Sequence, residues 1–172
     1  MAENSTAEPG NWRQLTEADL PALMAVQKEA YPWHQEGAET FVDRMNLYPP
    51  GCLGLDGPEG LLGYILSHPW EANSVPPLDT VLGRLPDKPG TYYLHDLALL
   101  KSLHGTGLGA RLVRHLAEHA GTCGFTTMSL VAVNRSGAFW QRQGFTARLI
   151  PKLTAKLADY GPDAVFMTRN LD

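Results

Sequence analysis

The run His104-Gly105-Thr106-Gly107-Leu108-Gly109-Ala110 constrains this chain more than any other feature, because it sits between a strand pattern and a helix pattern. Residues 92–100 are aromatic or apolar almost throughout, which predicts a buried strand. In residues 107–120, Leu108, Leu112, Val113, Leu116, Ala117 and Ala120 fall on one stripe of a helix, which Gly121 and Gly124 close. Glycines at such a turn let the backbone approach a ligand closely. The helix start adds unpaired N–H groups and the positive end of its dipole, so the turn is chemically suited to a phosphate. A tight turn without a ligand favours glycine too.

Competing motifs divide on their flanking residues. Gly105-x-Gly107-x-x-Ala110 has dinucleotide-fingerprint spacing, but residues 101–104 separate the strand from the first glycine. That fingerprint also needs an acid at the end of the next strand, and residues 126–133 contain none. No glycine is followed by Lys-Ser or Lys-Thr, so there is no P-loop. His115-Leu-Ala-Glu118-His119 has the spacing of an inverted zinc-protease motif, yet no glutamate follows Glu118 to complete the ligands. Both histidines lie opposite the apolar stripe, beside Arg111 and Arg114, which predicts a solvated face and no metal.

The remaining pattern predicts one domain over residues 11–172, after a small, polar lead-in at 1–10 that reads as disordered and not as a signal peptide. A short strand is expected at 11–15. Thr16 then caps a helix carrying Leu20, Leu23, Met24, Gln27 and Ala30, which Pro32 ends. A second helix is expected over 36–47, stopped by Pro49 and Pro50. Strands at 52–55 and 61–67 flank a turn. Residues 68–90 are proline-rich and predict a long loop, with one helical turn between Leu78 and Leu85. Such loops often act as lids. A buried strand at 126–133, a short helix capped by Asn134 and ended at Gly144, and strands at 145–150 and 164–169 follow. The expected class is α/β, with a mixed, largely antiparallel central sheet of about six to seven strands and helices on both faces.

Composition narrows the partners. A formal net charge of −4 argues against non-specific nucleic-acid binding. Cys52 and Cys123 show no metal or redox spacing and read as reduced thiols. No apolar run is long enough to cross a bilayer. These features predict a cytosolic protein without a membrane or nucleic-acid partner, as a monomer or a homodimer.

Three segments carry a family resemblance. LALLKSLHGTGLGARLV, with Gly107 and Gly109 in place, resembles the [Gln/Arg]-x-x-Gly-x-[Gly/Ala] segment of the GNAT superfamily of N-acetyltransferases. His104 stands where that family usually has Gln or Arg. Asn134 followed by AFWQRQGF resembles the family's Asn…[Phe/Leu]-Tyr-x-x-x-Gly-Phe, and RQLTEADLPAL resembles its first strand and helix. Residues 68–91 match nothing in it.

The resemblance implies an acyl-CoA N-acyltransferase fold. It also implies transfer of an acetyl group from acetyl-CoA to a primary amine in a ternary complex, with no metal. His104, Gly105, Thr106, Gly107, Leu108, Gly109 and Ala110 would hold the pyrophosphate, with Arg111 and Arg114 near outer phosphates. The strand at 97–99 would part from its neighbour after Val131. Leu97, Ala98 and Leu99 would then meet the amide-bearing arm like an added strand. The N–H of Leu99 or Leu100 would face the thioester oxygen. Asn134, Phe139 and Trp140 would complete this site. A non-catalytic acyl-CoA-binding module and a nucleotide-dependent oxidoreductase are the alternatives.

Transfer to an amine needs a neutral nitrogen, and at pH 7 only about one lysine-like amine in a thousand is neutral. A base therefore removes a handicap of roughly 4 kcal/mol. His95 is the first candidate. Strand alternation puts it on one face with Tyr93, Leu97 and Leu99, and Asp96 on the other. Leu94-His95-Asp96-Leu97-Ala98 also resembles the arylalkylamine N-acetyltransferases, whose strand histidine relays the proton. Tyr93 is the next candidate. Many relatives carry an acidic tyrosine where this chain has Trp140, whose indole cannot give a proton at useful pH. Ser129 stands where some ribosomal-protein acetyltransferases have a glutamate. Tyr93, Tyr160 or water are left to serve the thiolate. Tyr31, Trp33, His34, Trp70 and Glu71 are expected near the acceptor, as an aromatic or cationic-amine site or as an apolar lid.

Overall fold

The computed structural model describes residues 11–33 and 35–172; the lead-in and His34 lie outside the described residues. Seven strands, β1 (Trp12–Gln14), β2 (Cys52–Gly57), β3 (Gly60–Trp70), β4 (Thr91–Leu99), β5 (Thr127–Ala132), β6 (Thr146–Ala147) and β7 (Val165–Asn170), form one sheet. Its order is β1-β2-β3-β4-β5-β7-β6. All neighbours are antiparallel except β4 and β5, which run parallel because α3 (Leu108–Thr122) crosses over between them.

Helices cover both faces, as the apolar periodicity predicts. Leu112, Val113, Leu116 and Ala120 of α3 pack with Trp140 of α4 (Gly137–Arg142) on Ile65, Tyr92, Leu94, Met128 and Leu130. On the opposite face, Leu23 and Val26 of α1 (Leu20–Ala30) and Phe41 and Met45 of α2 (Ala38–Leu47) pack on Tyr64, Leu66 and Ala98. A third cluster, Val75, Tyr93, Leu153 and Phe166, lies beneath residues 71–90 and α5 (Thr154–Asp159).

Four local expectations are corrected. No helical turn forms between Leu78 and Leu85, because closely spaced prolines bracket that stretch. The loop is tied down instead. Asp43 accepts from the N–H groups of Leu82 and Gly83, Arg44 donates to Thr80 O, and Asp79 accepts from Gly37 N–H. Asn134 does not cap α4; Ser136 stands at the N-cap position without a side-chain bond, while Asn134 and Arg135 take left-handed φ values of 52° and 58°. The expected strand over 145–150 shortens to Thr146–Ala147. Finally, α5 has no counterpart in the sequence reading, since its six residues span too few turns to show a period.

Candidate active site

The site begins where β4 and β5 part. Their pairing ends at Leu94 opposite Leu130, although β4 continues to Leu99 and β5 to Ala132. A cleft of about 970 Å³ opens there, with Leu97, Ala98 and Leu99 on one wall and Val131 and Asn134 on the other. Leu100 N–H is already donated to Leu62 O at 2.9 Å. N–H directions alternate along a strand, so the Leu99 N–H faces the parted side. Of the two thioester donors left open by the sequence, Leu99 is the one with a free N–H.

The glycine turn closes one end of the cleft. Gly105 and Gly107 adopt φ values of 80° and 82°, which L side chains rarely tolerate. Among the described residues, the N–H groups of Gly105, Gly107, Leu108, Gly109 and Ala110 have no backbone partner. Gly109 serves packing as well, since a Cβ there would come within 3.2 Å of Phe139. Lys101, His104 and Ala110 also line the cleft. Thr106 and Leu108 do not. The Thr106 hydroxyl braces the turn on Leu103 O at 2.6 Å, and Leu108 is buried. Arg111 and Arg114 are exposed outside the cleft wall.

At the other end a β-bulge rearranges the predicted faces. Leu66 pairs with Asp96 and Ser67 with Leu94, leaving His95 as the extra residue. His95 therefore does not share a face with Leu97 and Leu99, as simple alternation predicts. His95 and Asp96 both turn to the α1–α2 side, while Leu97 packs on the α3 side. His95 Nε2 lies 2.9 and 3.2 Å from the two Glu36 oxygens. Asp96 accepts from the Tyr64 hydroxyl at 2.7 Å. Gln27 of α1 clamps Glu36 by its backbone, accepting from Glu36 N–H at 2.8 Å and donating to Glu36 O at 3.0 Å.

These carboxyls are tuned in opposite directions. Burial would raise Glu36, but the charge and hydrogen bond of His95, with Arg44 further off, hold it below its ordinary value. Burial pushes Asp96 up to about 6 against the opposing effects of His95 and the Tyr64 hydroxyl. A carboxylate accepts, so the bond to Glu36 puts the His95 proton on Nε2. Nδ1 is then the basic atom, and it is buried without a partner among the described residues.

The structure sorts the other expected residues. Tyr31 and Trp33 line the cleft, Trp33 with 74 % of its surface exposed. Tyr31 reaches the parted edge of β4, donating its hydroxyl to Leu97 O at 2.8 Å. Tyr160 lines the cleft with its hydroxyl on Pro76 O. Phe139 and Trp140 line it too, with rings 4.9 Å apart. Trp70 and Glu71 stand outside. The Trp70 ring lies 5.5 Å from that of His68, at the far end of β3. Tyr93 is sealed in the third core cluster and does not reach the cleft, because its side chain lies behind His95. His119, expected in solvent, instead meets the Tyr48 hydroxyl at 2.7 Å. No group of three potential metal ligands stands together among the described residues.

Sequence reasoning missed Gln27, Glu36 and Asp96 as parts of the site. A glutamine on the buried stripe of α1 was the one available signal, since a buried amide demands partners.

The comparisons agree with this geometry. The model of the Acetyltransferase (GNAT) family matches residues 12–145. The loading GNATL domain of CurA from Lyngbya majuscula superposes with a TM-score of 0.77 at 18 % identity, over 94 % of this chain and 97 % of that one. The GNAT-like decarboxylase GphF, in complex with isobutyryl-CoA, gives 0.76 at 15 % identity, over 94 % and 100 %. The ribosomal-protein-S18-alanine N-acetyltransferase from Escherichia coli gives 0.65 at 19 % identity, over 94 % of each chain. No curated protein sequence matches the chain. With its parted β4 and β5, its turn of unpaired N–H groups and a family match over most of its length, the chain belongs to the GNAT acetyltransferase family.

Proposed function

We propose that the chain moves an acetyl group from acetyl-CoA, its donor substrate, directly to a primary amine bound beside it. The observation that carries this reading is the free Leu99 N–H on the parted edge of β4, opening on the same cleft as the glycine turn. The turn and Lys101 suit a pyrophosphate. The exposed strand edge suits a chain of amides. The Leu99 N–H suits the oxygen that gains charge as the carbonyl is attacked. His95 Nδ1 takes the proton from the amine, and Glu36 orients the ring. Glu36 and Asp96 line the cleft wall with His95, and their carboxyls suit a cationic amine.

A non-catalytic acyl-CoA-binding module is the second reading, favoured by Trp140 at the place of the usual acid. Turnover of any amine removes it.

The test is a thermal melt with acetyl-CoA, against NAD and ATP, followed by a screen of amines for turnover. A ligand at about 100 times its Kd adds roughly 2.7 kcal/mol. For a domain of this size the midpoint should rise by about 5–10 °C. A rise with NAD instead, or none with acetyl-CoA, would overturn the donor assignment.

A further inference from the structure

We propose that Tyr31 is the hydrogen-bond donor that meets the departing sulfur, in a site where Trp140 stands at the place of the usual acid. This rests on the acyl-transfer reading above and adds a catalytic residue to it.

The cleft must supply a donor where negative charge collects on sulfur. Each other tyrosine near β4 is committed elsewhere, Tyr92 to the Ser67 hydroxyl and Tyr48 to His119 among them. Tyr64 donates to Asp96, Tyr160 donates to Pro76 O, and Tyr93 is sealed in the core. Tyr31 stands on the cleft wall, and its hydroxyl reaches the parted edge of β4 at Leu97 O. Leu97 and Leu99 present their main-chain groups on the same edge, about 7 Å apart along the strand. A thioester with its oxygen at the Leu99 N–H has its sulfur one bond from the same carbon. Tyr31 is therefore close to the bond that breaks.

The position of Tyr31 is prepared by the fold. Its N–H closes α1 on Gln27 O at 2.7 Å, and the Gln27 side chain holds Glu36. The partner it now uses is the one a bound donor would claim. The arm runs to the thioester from the glycine turn beyond Leu99, so the acyl end of a bound donor is what lies against Leu97 O. Its arrival displaces the Tyr31 hydroxyl from Leu97 O and leaves that O–H free to turn to sulfur. Burial, followed by the charges of Asp96 and Glu36, keeps the Tyr31 phenol well above its ordinary pKa. With Asp96, Glu36, Tyr64 and His95 around it, the group stays protonated and stays a donor.

The step balances. The bound ammonium first gives one proton to His95 Nδ1, which releases it to solvent; the neutral nitrogen then bonds to the carbonyl carbon and passes its surplus proton to the same atom. The C–S bond breaks and its electron pair goes to sulfur, where the Tyr31 O–H meets it. The thiolate gains its proton from solvent, and His95 returns its own to solvent.

The experiment compares Tyr31→Phe with wild type using acetyl-CoA and the acetyl selenoester of seleno-CoA, whose selenolate leaves without help. With acetyl-CoA the variant should lose about 30- to 100-fold in kcat with KM for the donor retained. With the selenoester the loss should shrink below about tenfold. Wild-type kcat in the variant, or an equal loss with both donors, overturns the proposal; the latter would mean Tyr31 only braces Leu97. Replacement of Tyr31 by 3-fluorotyrosine keeps the ring and the donor, so its kcat should hold at or above wild type. A fall to the level of phenylalanine also overturns the assignment. Failure of the wild type to acetylate any amine while binding acetyl-CoA would overturn the underlying reading itself.

Discussion

His95 Nε2 lies 2.9 Å from one oxygen of Glu36 and 3.2 Å from the other, in a pair whose side chains are 1 % and 7 % exposed. A buried carboxylate on one ring nitrogen fixes the tautomer and leaves the other nitrogen basic. Gln27 holds the Glu36 backbone, so the ring is oriented by a chain of contacts that begins on α1.

Glu36→Gln keeps an oxygen to accept from Nε2 but removes the charge. We expect kcat to fall about ten- to hundredfold, with little change in KM for acetyl-CoA. The variant should also alter acid stability. Glu36 lies below its ordinary value of 4.5 in the fold, so its contribution is present above that pH and is lost as pH falls through the lower folded value. Melts below about pH 4.5 should therefore drop less steeply in the variant than in wild type.

His95→Gln should lower turnover most at neutral pH and preserve the melting shift produced by acetyl-CoA. A pH–rate profile matching wild type would remove His95 as the base.

Gly107 has a φ of 82°, and a Cβ there would meet nothing within 4 Å. Gly107→Ala should therefore cost only backbone strain, about 1 kcal/mol, or about 2–4 °C in the midpoint. Gly107→Glu places a negative charge at the turn and should abolish the acetyl-CoA shift. Unchanged affinity in a folded Gly107→Glu protein would refute the turn as the phosphate site.

Asp96 titrates near 6 in the fold against an ordinary value of 3.8. A carboxyl with a raised folded pKa favours the folded state at low pH, and this advantage fades as pH rises through 6. Asp96→Asn keeps an acceptor for the Tyr64 hydroxyl. It should gain up to about 3 kcal/mol over wild type between pH 4 and pH 8. Parallel midpoints for the two proteins across that range would contradict this.

Tyr93→Phe removes a buried hydroxyl that has no partner among the described residues. Turnover at the wild-type level is expected, and a large loss would restore Tyr93 to the chemistry.

Some of this was legible in the residues alone. The α3 stripe and the turn were clear because a 15-residue amphipathic helix repeats its period several times and glycines mark left-handed backbone locally. The parting of β4 and β5 followed from a resemblance, not from the residues, because no local pattern says where a parallel pair ends. Residues 68–90 read as a lid because prolines forbid regular structure, although β3 in fact runs on through Pro69 to Trp70. Their ties to Gly37, Asp43 and Arg44 come from α2 and the residue before it, which composition does not reveal.

By itself the sequence determined the order of the longer elements, their apolar faces and the phosphate-suited turn, because each depends on neighbours a few positions apart. Only the tertiary structure decided which residues meet His95. One extra residue in β4 reverses the alternation of side chains from Asp96 onward, and no periodicity announces such an insertion. Glu36 comes to His95 across 59 positions because α1, α2 and the sheet bury their apolar faces together, and that packing carries the carboxylate with it.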